Sequence, residues 1–463
     1  MKTIAVIGGG ITGLSAMYEL QKNARANHED VELLLIERNP YVGGKIHTMY
    51  TDTYKMETGA DSIVARHPGV QSFIEELGLT DELVYNEVGA SYIHTNEELH
   101  LIPLNSTFGI PMSVASLMSS TLISEEGKQR ALQDLTMPNT MFTKDSSIGE
   151  FLAYFLGEEL VNKQIAPVLS GVYSGNLYEL SIASTIPYLI DYKNKYGSII
   201  KGFEANRETF EKANAKKFIS FKRGLSSMME RIEERLDGVE VLKGVSVELL
   251  EKKDARYALY LSNCDIRYVD EVIVTTPHDV TKQLFANDVN MQSYFERFRN
   301  GSAITVYLGY DVPDSILPAD GTGFIVSHNS SLQCNACTWT SRKWKHTSTN
   351  EKLLVRLFYK DVHPRYEEFK AMSDEALIEV AKHDIAASLQ LADEPVLTDV
   401  TRWIDQMPRY DLSHRTARDE LVTALQQHYP GVVVAGCSFY GVGVGACIQN
   451  GREIARERIP TIS

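Results

Sequence analysis

The 463-residue chain is poor in cysteine, in tryptophan and in long apolar runs, and each shortage excludes something. Five cysteines are too few and too scattered for a disulfide framework, which suits a reducing compartment. Cys334 and Cys337 form a single C-x-x-C. No second pair and no histidine pair stands at zinc-ligand spacing, so no metal is expected. No stretch supplies the roughly 18 consecutive apolar residues that a membrane-spanning helix needs. Cations are in the minority, 46 Lys and Arg against 61 Asp and Glu, for a formal net charge of −15. That balance excludes non-specific nucleic-acid binding and requires any anionic substrate to be met by local basic residues. Met1-Lys2-Thr3 runs straight into an apolar segment with no room for an export leader, so a cytoplasmic location is expected. The length exceeds one compact core, and about two or three domains are expected.

What is present begins at once. Thr3 to Ile7 is a short β-rich run, followed by Gly8-Gly9-Gly10-Ile11-Thr12-Gly13 and then Leu14, Met17 and Tyr18 at helical spacing. Strand, glycine turn and helix form the context that a dinucleotide site requires. Gly8 permits the tight turn, Gly10 lets backbone approach a pyrophosphate, and Gly13 lets the helix pack on the strand. The N–H groups that open the helix then face the phosphates. A second strand, Val31 to Ile36, ends at Glu37, whose carboxylate can accept hydrogen bonds from ribose hydroxyls. Near the other end, the buried strand Val432 to Gly436 precedes Gly441, Val442 and Gly443 and a helix from Ala446 to Arg458. A second helix N-terminus there would stabilise negative charge on the same cofactor. Strands are also expected at 239–242, 245–250, 257–261 and 271–277.

Glu37-Arg38-Asn39-Pro40-Tyr41-Val42-Gly43-Gly44-Lys45 resembles the E-R-x-x-x-x-G-G-[KR] extension of the flavin amine oxidase superfamily. The resemblance implies FAD instead of NAD, with Arg38 and Lys45 lying along the adenosine and pyrophosphate. It implies that Gly59-Ala60-Asp61-Ser62 runs beneath the flavin ring, and that Val247 offers a backbone contact to adenine. Trp403 is expected to pack near the flavin.

Three further segments resemble one family, the protoporphyrinogen and coproporphyrinogen oxidases, and the likeness runs from residue 1 to about 455. They are Ser170-Gly171-Val172-Tyr173-Ser174-Gly175-Asn176, then Trp403-x-x-Gln406-x-Pro408-x-Tyr410 with His414, and Gly436 to Gly443 with Cys447 and Gly451. The family's fold is α/β: a discontinuous Rossmann-like FAD domain, an α+β substrate domain and a helical domain that often touches a membrane. The implied boundaries are 1–65, 216–285 and 416–463 for FAD, 66–215 for the mostly helical part and 286–415 for the substrate domain. The implied reaction is dehydrogenation of a porphyrinogen to a porphyrin, with O2 as acceptor and H2O2 as product. Length and the long connection Asn23–Asp30 look most like the soluble Gram-positive enzymes, whose favoured substrate is coproporphyrinogen III. Protoporphyrinogen IX oxidase, a flavin amine oxidase or carotenoid desaturase, and a non-enzymatic prenyl-protein binder like the Rab GDP-dissociation inhibitors are the alternatives.

The flavin would carry the chemistry, so no catalytic side chain is required and no Ser–His–Asp or Cys–His set is found. For the substrate, Arg66 is expected to pair with a carboxylate, with His67 as a weaker cation. Gly171 and Gly175 are expected to line the cavity with Tyr173 between them. The apolar stretch Phe151 to Leu156, capped by Ser147 and continuing as helix to about Leu169, is expected to be core more than membrane-facing surface.

Overall fold

The computed structural model describes residues 1–460 except 88–89, 174–175, 215–217, 319 and 328, and only the backbone of 171–173 and 211–214. From the N-terminus, β1 (Lys2–Ile7) leads through the glycine turn into α1 (Ile11–Asn27) and β2 (Val31–Glu37). Next come β3 (Ala90–Thr95), β4 (Glu98–Leu101), α2 (Ile148–Leu156) and α3 (Ala166–Tyr173). The middle of the chain gives β5 (Val239–Lys243), β6 (Val247–Lys253) and β7 (Glu271–Val274). After them stand β8 (Arg299–Pro313), β9 (Gly321–Val326), β10 (Ala336–Trp339) and β11 (Lys352–Lys360). The chain closes with α4 (Asp374–Leu389), β12 (Leu397–Arg409), β13 (Val432–Val434) and α5 (Val444–Arg458).

The first sheet is parallel, in the order β5-β2-β1-β7-β13, so it gathers strands from both ends of the chain and its middle. Its strands read as unbroken apolar runs because both faces are covered. Ile4, Val6, Leu33, Leu35 and Ile273 point into one core, and Ala5, Ile7, Leu34, Ile36, Val272 and Val274 into the other. On the first face α1 and α5 lie against each other. A Cβ on Gly451 would stand 2.3 Å from the carbonyl oxygen of Thr12, so the two helices touch backbone to backbone there. Arg452 and Arg456 of α5 both bind Glu19 of α1, at 2.7 and 2.8 Å.

The second large sheet runs β12-β8-β11-β10-β9-β3-β4. The segment 66–215, expected to be mostly helical, therefore lends two strands to it. β3 can reach β9 because a parallel partner needs only a long connection, which hydrophobic periodicity does not register. One face of this sheet is closed by α4, with Ile304, Val306, Leu357 and Tyr359 packed on Leu377, Ala381 and Ile385. The other face is taken up below.

The helical layer is a core in its own right. Ser147 caps α2 by accepting from the Glu150 N–H at 3.3 Å, and Phe151, Leu152, Phe155 and Leu156 are fully buried. The helix expected to continue to Leu169 breaks at Gly157, whose φ of +87° is a conformation glycine tolerates, then resumes at Glu158 and runs through a π-helical stretch, Val161–Ile165, into α3. Asp134 and Lys193, both wholly buried, form an ion pair at 2.7 Å, and Ser198 Oγ and the N–H groups of Ile199 and Ile200 complete the carboxylate's bonding. Among the described residues no helix is long and apolar enough to cross a membrane.

Candidate active site

A cavity of about 380 Å³ opens where the carboxyl ends of β1, β2 and β7 meet the N-termini of α1 and α5. In open parallel sheets this is where ligands bind. Gly8 turns the chain at φ +107°, and its N–H donates to Ile36 at 2.8 Å. A Cβ at Gly13 would fall 1.9 Å from the Gly8 carbonyl oxygen, so only glycine allows α1 to start this close to β1. Gly10 and Gly443 differ from Gly13. A Cβ at either would meet nothing within 4 Å, which leaves open space directly beyond two helix N-termini. A diphosphate fits that arrangement, because unpaired N–H groups and the positive ends of two dipoles converge on it.

Most of the expected cofactor residues come together here. Gly8, Gly10, Ile11, Thr12, Glu37, Arg38, Lys45, Ala60, Val247, Trp403 and Val442 line the cavity. Gly9 works from behind: its N–H donates to Glu37 at 2.7 Å and its carbonyl accepts from Gly43 at 2.8 Å. Glu37 also accepts from the Asn39 N–H at 2.8 Å, so its carboxylate is held rigid at the cavity wall. Arg38 is exposed at the rim. Lys45 donates to the Gln406 carbonyl and lies 3.8 Å from the Cys437 sulfur, so its ammonium is directed to the inner end. Gly436, at φ +91°, and Gly441, at φ +127°, shape the loop before α5, and Gly443 is the N-cap of that helix.

The segment at 59–62 divides. Gly59 and Ala60 follow the cavity, and a Cβ on Gly59 would collide with the Lys45 carbonyl at 2.0 Å. Asp61 and Ser62 turn instead to each other, at 2.7 Å, and Asp61 to Lys343, at 2.7 Å. Lys343 and these hydrogen bonds hold the Asp61 carboxyl well below the ordinary carboxylate range despite its burial. Beneath this turn the Arg356 guanidinium donates to the carbonyls of Thr58, at 2.9 Å, and Gly59, at 3.0 Å. The Trp403 indole N–H donates to the same Thr58 oxygen at 2.8 Å. Neighbouring Glu57 is pushed up to about 7, chiefly by burial, although it accepts from the Leu225 N–H and the Thr48 hydroxyl.

A bulge puts Trp403 there. Along β12 and β8, Met407 pairs with Gly301 but Trp403 pairs with Ala303, so three residues stand opposite Ser302. Asp405 takes φ +52° at the apex, its N–H donates to the Ser302 hydroxyl at 2.8 Å, and the displaced Gln406 carbonyl meets Lys45. Farther on, the Tyr410 hydroxyl donates to Cys437 O and accepts from the Gly441 N–H, each at 2.6 Å. His414 stacks on Tyr410 and reaches Ser438 O at 2.9 Å. The W…Q…Y…H segment is thus a strap between the second sheet and the second glycine loop. Its residues beyond Trp403 were absent from the sequence-derived site, as were Thr275, Cys437 and Cys447 at the cavity wall. The segment's shared pattern was the available signal for Gln406 and Tyr410. The C-terminal segment, which contains Cys437 and Cys447, was the signal for the cysteines, and for Thr275 there was none. Burial and the nearby Cys437 push the Cys447 thiol up to about 12, so it stays protonated.

Substrate-side expectations fare less evenly. Arg66 is exposed, and His67 rests on the first turn of α5, where a Cβ on Gly445 would stand 2.6 Å from the imidazole. Gly175 lies outside the described residues. Gly171 and Tyr173 fall in the last turn of α3, where only backbone is described. α3 packs against β9 over the face of the second sheet that α4 leaves uncovered. On that face Ile325, Ala336, Phe358 and Lys360 stay part-exposed, whereas Cys337, Leu357 and Tyr359 on the opposite face are buried. This face meets the cofactor cavity at Trp403, which lines that cavity.

Against known proteins, residues 11–458 match the family of flavin-containing amine oxidoreductases. The chain is 36% identical to coproporphyrinogen III oxidase of Bacillus subtilis (strain 168), over 99% of this chain and 98% of that one. It is 32% identical to the coproporphyrinogen III oxidase of Staphylococcus aureus (strain NCTC 8325 / PS 47), over 99% of each. A crystal structure from Exiguobacterium sp. 255-15, provisionally assigned as a protoporphyrinogen oxidase, superposes with a TM-score of 0.88 at 31% identity, covering 99% of this chain and 98% of that one.

Proposed function

The chain belongs to the flavin-containing amine oxidoreductases and is an FAD-dependent oxidoreductase; on that premise we propose that it dehydrogenates coproporphyrinogen III to coproporphyrin III in the cytoplasm, with O2 as acceptor. The observation that carries this reading is Trp403. Its indole binds the Thr58 carbonyl of the cofactor cavity while its backbone begins the open face of the substrate sheet, so a flat substrate on that face abuts the redox centre. The full-length likeness to coproporphyrinogen III oxidases supports the choice of substrate.

FAD, when bound, would supply a two-electron acceptor for hydride from an activated porphyrinogen C–H bond; since porphyrinogen to porphyrin is a six-electron loss, three such rounds would be needed, each passing its electron pair to O2 as H2O2. The chain's own residues bind, orient and exclude water. The N-termini of α1 and α5 hold the negative end of the cofactor, with Lys45 beside them. Gly59 and Ala60 would allow backbone to approach the ring, and Arg356 and Trp403 fix the Thr58 carbonyl so that this turn cannot recede. Orientation of substrate against the ring is the chief catalytic demand on the protein. Arg66, at the exposed side of the turn that follows, pairs with a substrate carboxylate, and Gly171 and Tyr173, in the last turn of α3, belong on this reading to the substrate side.

The test is direct. The flavin-loaded protein is supplied with coproporphyrinogen III, protoporphyrinogen IX and an aliphatic amine in turn, and porphyrin fluorescence and H2O2 are followed. Turnover of coproporphyrinogen III well above protoporphyrinogen IX is expected. Oxidation of the amine with no porphyrin formed would overturn the proposal. Arg66→Ala should raise KM for the porphyrinogen several-fold with kcat little changed, and an unchanged KM would remove Arg66 from the site.

A further inference from the structure

Three strands of the second sheet each send one side chain to the turn that carries Gly59. From β8 the Tyr307 hydroxyl donates to the Glu57 carbonyl at 3.2 Å. From β11 the Arg356 guanidinium donates to the Thr58 and Gly59 carbonyls at 2.9 and 3.0 Å. From β12 the Trp403 indole N–H donates to Thr58 at 2.8 Å. Three successive carbonyls are thus drawn toward the sheet, and one of the groups that draws them is a cation. Tyr307 and Arg356 are register partners, and the guanidinium lies 5.2 Å from the Tyr307 ring centre and 4.9 Å from that of Phe358.

No anion matches the Arg356 charge. The residue is 4% exposed, and its one further hydrogen bond goes to the Thr305 hydroxyl at 3.4 Å. Its Nε–H is buried without a partner. Among the described residues no carboxylate forms an ion pair with it. Two carboxyl groups, Asp61 and Glu57, stand close enough to feel its charge, and each is bonded elsewhere. Asp61 is taken by Lys343 and Ser62, which sets one negative charge against one positive. Glu57 accepts from the Leu225 N–H and the Thr48 hydroxyl. One positive charge is left over behind the turn. Burying a cation against neutral partners is costly, and holding the turn does not require it, because Tyr307 and Trp403 hold Glu57 and Thr58 with neutral donors. What the charge supplies is a field across the turn that little water screens.

We infer that Arg356 tunes the cofactor electrostatically, its guanidinium favouring the reduced flavin over the oxidised across the turn at Thr58–Ala60. A hydride carries two electrons and one proton, so a neutral ring that accepts it gains one net negative charge while the donor loses the same pair. On the reading that this turn backs the ring, a fixed cation on its far side lowers the cost of that charge. Arg356 acts through the turn and touches no reacting atom, so it is a positioning residue. The inference concerns the cofactor alone and holds whichever hydride donor the chain acts on.

The experiment measures the two-electron midpoint potential of bound FAD in wild-type, Arg356→Lys and Arg356→Gln holoenzymes, and FAD affinity by titrating each apo-protein. Both variants leave the N-termini of α1 and α5 untouched. Arg356→Gln keeps a donor but no charge. The equilibrium between oxidised and reduced cofactor should shift about tenfold or more toward the oxidised form, about 30 mV for a two-electron couple. Arg356→Lys keeps the charge but loses the planar fork that bonds two carbonyls. FAD affinity should then fall several-fold, with the redox equilibrium within about twofold of wild type. Equal shifts of potential in both variants would assign Arg356 to holding the turn alone and overturn the inference, as would no shift in Arg356→Gln. If Arg356→Gln retains no flavin, Arg356→Lys and the wild type decide. The reduced wild-type cofactor should keep its anionic spectrum at a pH low enough to protonate free reduced FAD. A neutral spectrum there, or a lowered potential in Arg356→Lys, would overturn the inference.

Discussion

The glycine-lined end of the cofactor cavity is shaped by side chains that are missing, and the face of the second sheet beyond Trp403 by side chains that are present. At Gly8, Gly13 and Gly59 any Cβ would meet the Thr275 hydroxyl or backbone at 2.7 Å or less, and at Gly10 and Gly443 it would occupy the space beside a helix N-terminus. Recognition there is done by N–H groups and dipoles, which every residue type carries, so the sequence announces it only through glycine. The face beyond Trp403 works by the opposite rule. Trp403, Phe358 and Arg356 matter for what they carry, and ordinary residue types in ordinary strands announce nothing until register sets them side by side.

This contrast can be broken most severely at Gly13. Gly13→Val drives a side chain into the Gly8 carbonyl, and the strain should exceed the 1–3 kcal/mol or so of ordinary overpacking. The expected result is a protein that neither holds flavin nor melts cooperatively, read from absorbance at purification and thermal unfolding. Gly10→Val sharpens the point. Its side chain enters open space, so apo-protein stability should stay within about 0.5 kcal/mol of wild type while FAD retention is lost. Loss of fold at Gly10 instead would mean that this turn serves packing, not phosphate.

A middle-sized effect tests the buried floor between the two ends. The folded protein keeps Glu57 protonated up to about pH 7, whereas the ordinary value is 4.5. The native state therefore binds more protons than the unfolded chain across that window, and stability falls as pH rises through it. The fall should be on the order of 3 kcal/mol, complete above about pH 7 and absent below about 4.5. Glu57→Gln should flatten that limb of the unfolding free energy against pH, and a variant with an unaltered slope would assign the fall elsewhere. The smallest effect belongs to Trp403→Phe. It keeps the ring but removes the N–H bond to Thr58, a loss of about 1 kcal/mol. FAD affinity should drop several-fold with little change in melting temperature, measured by titrating apo-protein.

Within the fold, legibility follows the distance between partners along the chain. Ser147 and Glu150 lie one helical turn apart, and the cap they predict is present. The buried aromatics of α2 read as core and are core. The break at Gly157 was missed because one glycine in an apolar run costs little on paper, while its φ of +87° interrupts the helix. β3 and β4 were missed because their place in the second sheet depends on a partner more than two hundred residues away.

The same division runs through the site. The sequence by itself determined that a strand, glycine turn and helix open the chain and that a second such unit lies near its end, because each is a local run whose spacing is legible. The extension that ends at Lys45 pointed to the flavin through its resemblance to the superfamily. Only the tertiary structure decided that Asp61 turns away to Lys343, that Tyr410 ties the strap to the second loop, and that Lys360 stands in line with Trp403. The last depends on a bulge opposite Ser302 and on strand register, and a shift of one residue would have turned those side chains to the other face.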